Sequence, residues 1–235
     1  PVPGRRPGAA SWPRRRLGGA GQEPERVYVR SSVTIYYEAG DGGEDLLGRQ
    51  ALLDIVNIER RISQVPSYDK FCFAPNQNFD QSGKRCRDIM SPMSFFFGTR
   101  IGNESAAYRI LPDGAAGEPN DVGDVLAGVA ATRRWERLKG EEANRQWYFD
   151  TDFPRSMVMR SRVRFGRPLP GFQSRADRPD EQQALEDAFV QAELHPLLQK
   201  ASTKHVKVRY EGAFINKLEW AEVFVSDGLL VYTRA

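Results

Sequence analysis

The chain has 235 residues, 40% hydrophobic and 28% charged, enough for one sizeable core or two small ones sharing an interface. Two cysteines exclude a disulfide-dense mini-protein, and the composition excludes collagen and wholesale disorder. The longest uncharged apolar run falls far below the roughly 18 residues that mark a membrane span, and the first thirty residues are too rich in Arg, Pro and Gly to be a secretory signal.

The net charge of +3 divides unevenly. Residues 1–30 hold seven Arg and two Glu, a balance of +5, so the remaining 205 residues carry −2. The basic character belongs to the tail, and a near-neutral remainder gives no warrant for a nucleic-acid partner. Residues 1–25, punctuated by five prolines and without apolar periodicity, are expected to be a disordered Arg/Pro/Gly-rich tail. Such a tail suits anionic lipid or nucleic acid; a solvated linker is the plainer reading.

Residues 26–235 read as a single domain. Val27, Val29, Val33, Ile35 and Tyr37 alternate with polar residues, the pattern of a half-buried strand. After the turn at Gly40-Asp41-Gly42-Gly43, Leu52, Ile55, Val56, Ile58, Glu59 and Ile62 form a stripe at helical spacing over 45–64, ended by Pro66. Tyr68 to Phe73 reads as a short second strand with Phe71 and Phe73 on one face. An insertion over about 75–155 follows, too long for a plain loop. Within it Ser91 to Gly98, with three consecutive Phe, reads as a packed turn or strand. Asp121 suits the cap of a helix carrying Val122, Leu126, Val129 and Leu138.

The pattern then recurs. Met157, Met159, Val163 and Phe165 alternate with Arg160, Arg162 and Arg164 as a strand. Asp177 is placed to cap a helix with Pro179 in its first turn and Leu185, Ala188, Phe189 and Ala192 inward; Pro196 disturbs that helix. His205 to Tyr210 forms a last strand, and residues 213–227 a C-terminal helix with Phe214, Leu218, Ala221 and Val225 on one face. Two strand–helix–strand units predict an α+β fold, the ferredoxin-like split βαβ–βαβ sandwich, with four strands and two helices on the inner face.

Cys72 and Cys86 flank a loop containing Pro75, Asn76, Asn78 and Gly83, which suits a disulfide stabilising by roughly 3 kcal/mol. A metal site lacks third and fourth ligands, both His being distant; a buried thiol pair is the remaining alternative. Asn103-Glu104-Ser105 is a glycosylation sequon in the same region, and sequon with disulfide points to an oxidising compartment. His195 and His205 are expected at the surface, and Asp150 and Asp152 as turn formers. With no phosphate-cradling loop and no nucleophile–base motif, the sequence does not read as an enzyme, and no cofactor or metal is implied. Arg160, Arg162, Arg164, Lys207 and Arg209 would line one outer sheet face if their strands share a sheet. Without the interleaved aromatics of an RNA-binding sheet, that face suits a protein partner or plain solvation.

Several stretches together carry a resemblance. Val33-Thr34-Ile35-Tyr36-Tyr37-Glu38-Ala39, Asn57-Ile58-Glu59 and Tyr68-Asp69-Lys70-Phe71-Cys72 resemble the start of the first ectodomain of Dispatched-type proteins, relatives of Patched in the resistance-nodulation-division transporter superfamily. Ser91-Pro92-Met93-Ser94-Phe95-Phe96-Phe97 and Trp147-Tyr148-Phe149-Asp150 follow in order. The most specific piece is the basic strand Arg160-Ser161-Arg162-Val163-Arg164-Phe165-Gly166 running into Arg167-Pro168-Leu169-Pro170-Gly171-Phe172. The resemblance covers residues 27–235. It implies a porter-type domain on the extracellular or lumenal side of a transporter that moves or releases sterol-type or lipid-modified cargo. Its partners would be the parent's second ectodomain and membrane helices. The family's ion-relay acids lie in membrane helices, so no coupling residue carries over. With no membrane helix before Val27 and none after the C-terminal helix, the chain is expected to be a fragment or excised domain. In such a domain Phe95, Phe96 and Phe97 would line a lipid path or fill the core. A free-standing secreted or surface binding module of the same fold is the alternative.

Overall fold

The computed structural model describes residues 25–41, 45–74, 86, 88–101, 109–111, 113–125 and 158–216. The fold is mixed α and β with an antiparallel sheet. Its elements in chain order are β1 (Val27–Ala39), α1 (Arg49–Ser63), α2 (Tyr68–Phe71), α3 (Met93–Phe96), β2 (Thr99–Ile101), β3 (Arg109–Leu111), β4 (Val158–Arg167), α4 (Pro179–Phe189), a π-helical segment (Val190–Leu194), α5 (His195–Gln199) and β5 (Val206–Glu211). The main sheet has the order β4–β1–β5, and β2 pairs with β3 in a separate hairpin.

β1 is central because its two edges meet strands from the second half of the chain. Ile35 lies opposite Ser161 on one side and Tyr210 on the other. Val33, Ile35 and Tyr37 point inward together with Met159, Ser161, Val163 and Phe165 of β4 and Val206 and Val208 of β5, all buried. The register shifts between Tyr28 and Ser32, and beyond the shift the alternation fails: Val27 and Tyr28 are exposed.

Helix α1 lies on the inner face. Ala51, Leu52, Ile55, Val56, Ile58, Glu59 and Ile62 are buried, and Arg60 and Arg61 in the last turn complement the helix dipole. Gly40 lets β1 turn out of the sheet; a Cβ there would lie 2.2 Å from the Lys204 carbonyl oxygen. Helix α4 packs into the same core through Phe189, stacked on Phe71 at 4.4 Å and edge-on to Phe165 of the sheet at 6.1 Å.

Several expectations are corrected. Residues 68–71 form a helical turn, because Phe71 follows Tyr68 into the core by a three-residue step and not by strand alternation. The flank of β4 carries single bridges, Cys72 to Phe165 and Met90 to Arg162, so the described sheet has three strands where four were expected. Asp177 does not cap α4. Its carboxylate accepts from the Gln173 backbone N–H at 2.9 Å, and the capping position is Arg178, at φ 45°, with no side-chain cap. Leu185, Ala188 and Ala192 face solvent; Gln182, Glu186 and Phe189 hold the inward positions. Pro196 acts as expected, with the helical run widening into π geometry just before it. His195 is buried, its ring edge-on to Tyr210 at 5.6 Å. Met93 to Phe96 is a helical turn, and Phe96 and Phe97 are fully buried in the core.

Leu126, Val129, Leu138, Met157, Leu218, Ala221 and Val225, the tail before residue 25, Asn103, Asp150 and Asp152 lie outside the described residues. The cap at Asp121 and the helical residues 122–125 lie within them, Asp121 accepting from the Asp124 N–H at 3.3 Å. So do 213–216, helical as expected, although the buried side chain there is Ile215.

Candidate functional site

The inner layer contains one feature that hydrophobic patterning does not require. Glu59, in the buried stripe of α1, is 8% exposed. Three hydroxyls converge on its Oε1. Tyr37 of β1 donates at 3.2 Å, Ser91 of the segment before α3 at 2.6 Å and Ser161 of β4 at 2.5 Å. No cation lies within ion-pairing distance among the described residues. Burial therefore outweighs the hydrogen bonds and raises the Glu59 carboxyl from 4.5 to about 7. The same burial, reinforced by Glu59, pushes the Tyr37 phenol well above its usual value.

Glu59 opens onto a cleft of about 440 Å³. Val56, Glu59, Arg60, Ser63 and Gln64 of α1 form one side; Asp88, Ile89, Ser91, Met93 and Ser94 form the other, with Tyr68, Asp69, Cys86, Asp113 and Gly114 completing it. Tyr68 is held high by burial, with Asp88 adding to the effect and Arg164 opposing it. Asp113 lies below its usual value despite some burial, because the Thr99 and Ala115 N–H groups both donate to it.

Cys72 and Cys86 are joined in a disulfide, with Cα atoms 5.6 Å apart. The bond ties the segment entering the cleft wall to the flank of β4. It also leaves no thiol nucleophile among the described residues. No group of three or more His, Cys, Asp or Glu there is arranged to hold a metal ion. The arrangement supports proton exchange at Glu59 near neutral pH and hydrogen bonding to whatever enters the cleft.

The five expected cations do share the outer face, but they do not form an unbroken basic patch. Tyr36 sits in register between Arg160 and Arg209, and Glu38 opposite Lys207. Arg209 pairs with Glu38 at 2.9 Å, while Tyr36 donates to Glu211 at 2.5 Å. Arg164 lies 4.9 Å over the Phe73 ring, which meets Tyr28 edge-on. Lys207 and Arg209 are exposed; the three arginines of β4 are half-buried.

Two further buried groups escaped the sequence. Glu186 receives Arg167 at 3.1 Å and the Ser31 hydroxyl, deep under α4. Arg26 is 3% exposed, and its terminal nitrogens have no hydrogen-bond partner among the described residues; burial lowers its guanidinium, with Asp69 opposing. A charged residue inside an apolar stripe was the available signal for Glu59. For Arg26 and Glu186 no local pattern exists.

Dispatched homolog 3 of Mus musculus and of Homo sapiens are each 28% identical over 93% of this chain, which covers 16% of their length. Dispatched homolog 3 of Gallus gallus is 28% identical over 84% of the chain and 14% of its own length. The chain thus spans about a sixth of these curated relatives. No family model matches the sequence, and no solved structure matches it.

Proposed function

We propose, from the premise that this chain is a homologue of Dispatched homolog 3 and so of the Patched and resistance-nodulation-division type, that it is an extracytoplasmic domain of a membrane transporter. The observation that carries this is the similarity over nearly the whole chain. Three features support it. The strand order β4–β1–β5, with bridges on the far side of β4, is what a split βαβ sandwich leaves when its second strand is reduced to isolated pairs. The disulfide suits an oxidising compartment. The described residues contain no helix long and apolar enough to cross a membrane, so spans would lie elsewhere in the parent.

In this role the sandwich is a rigid wall. Paired with a second ectodomain it encloses a passage for sterol-type or lipid-modified cargo, and movement between the two admits and releases that cargo. Two measurements separate the parts of the proposal. The coding sequence on both sides should specify apolar spans of about twenty residues; stop codons bounding the domain would overturn the membrane assignment and favour a free-standing module. A photoreactive sterol added to membranes holding the full-length protein should crosslink to it and be competed by unlabelled sterol. Spans without crosslinking would retain the membrane assignment and reject the sterol cargo.

A further inference from the structure

The three hydroxyls around Glu59 come from elements held with unequal firmness. β1 and β4 are joined by a long antiparallel ladder, and Tyr37 and Ser161 are fixed with it. Ser91 belongs to a strap, residues 88–94, that crosses the flank of β4 and meets it at one bridge, Met90 N–H to the Arg162 carbonyl at 3.0 Å and the reverse bond at 2.8 Å. The strap walls the cleft opposite α1, so lifting it would draw the Ser91 hydroxyl off Glu59 and expose the carboxyl to more of the water in the cleft. The Ser91 hydroxyl also accepts from the Met93 N–H at 3.0 Å, which links the Glu59 contact to the first turn of α3.

We propose that Glu59 is a proton-operated latch on this cleft: neutral, it holds the 88–94 strap closed, and on ionising it favours the lifted strap and a water-filled cleft. The direction follows from linkage. A carboxyl with a value of about 7 when enclosed and 4.5 when hydrated binds its proton more tightly in the closed state, so loss of the proton shifts the equilibrium towards opening. The other titratable and charged groups around it are Tyr37 from β1, Tyr68 and Asp69 from α2, Asp88 from the strap, Asp113 and, on its own helix, Arg60. Both phenols are raised and remain neutral through this range. A variant altered only at Glu59 keeps every one of these groups and isolates the latch.

The test is amide hydrogen exchange of the full chain at several values between pH 5 and 8, corrected for intrinsic chemistry, read at Met90 and residues 93–97. Opening should rise by up to about tenfold per pH unit between pH 5 and 7 in the wild type. Glu59→Gln, which cannot ionise, should flatten that slope; Ser91→Ala should open the strap already at pH 5. If Glu59→Gln does not fold, the wild-type exchange profile and the side-chain carboxyl carbon of Glu59, followed by NMR, still decide the matter. A midpoint near 7 supports the latch. A midpoint near 4.5, an exchange profile flat in pH, or an equal slope in Glu59→Gln would overturn it.

Discussion

Glu59 and Glu186 are both buried acids, yet of the two only Glu186 has a cation within ion-pairing distance among the described residues. Its side chain is 1% exposed and faces Arg167 at 3.1 Å, so its charge is compensated in place. Arg167→Met would leave that charge buried and alone, and urea unfolding should show a loss of about 3–5 kcal/mol. The double variant Arg167→Met with Glu186→Leu should recover most of it, since an apolar pair of similar volume removes the uncompensated charge. Glu59, without a cation, works in the opposite sense. Its folded value near 7 lies above its unfolded value of 4.5, so its contribution is fully present below pH 4.5 and is lost as pH rises through 7. Urea unfolding should show about 3 kcal/mol less stability at pH 8 than at pH 4.5 from this group, and Glu59→Gln should abolish that difference. Asp113, held low, gives the reverse slope below its usual range, so acid unfolding and the neutral-pH decline have separate origins. Glu59 was visible in the sequence as an acid inside an apolar stripe. Its three hydroxyl partners were not, because Tyr37, Ser91 and Ser161 are brought together only by the tertiary fold.

At the scale of elements, what could be read depended on whether the inward positions are apolar. α1, β4 and β5 and the Val33–Tyr37 part of β1 follow their periodicity closely. α4 does not: Gln182 and Glu186 point inward, satisfied by the Leu169 N–H and by Arg167, and a hydrophobic pattern assigns such residues to the surface. α2 failed for another reason, since four residues are too few to tell a helical turn from a strand. Strands β2 and β3, three residues each, left no periodic signal. Two predictions belong here. Replacing Cys72 and Cys86 together by Ser should cost roughly 3 kcal/mol, the closure entropy of their loop, read as a fall in Tm under non-reducing conditions. Gly40→Ala should also lower Tm, because its Cβ would lie 2.2 Å from the Lys204 carbonyl oxygen and force the β1 turn away from β5. An unchanged Tm in either variant would contradict the assignment behind it.

At the scale of the whole molecule, the recurrence of strand, helix and strand made the α+β class and the antiparallel pairing legible. It did not reveal that the second strand is reduced to single bridges or that a hairpin precedes the second unit. The similarity to Dispatched homolog 3 of Mus musculus covers 93% of the chain at 28% identity. The most direct test of the assignment is protease protection in sealed microsomes carrying the full-length parent protein, followed with an antibody against this domain. An extracytoplasmic domain is enclosed in the lumen and should resist digestion until detergent is added; digestion in intact vesicles would place it on the cytoplasmic side and contradict the account.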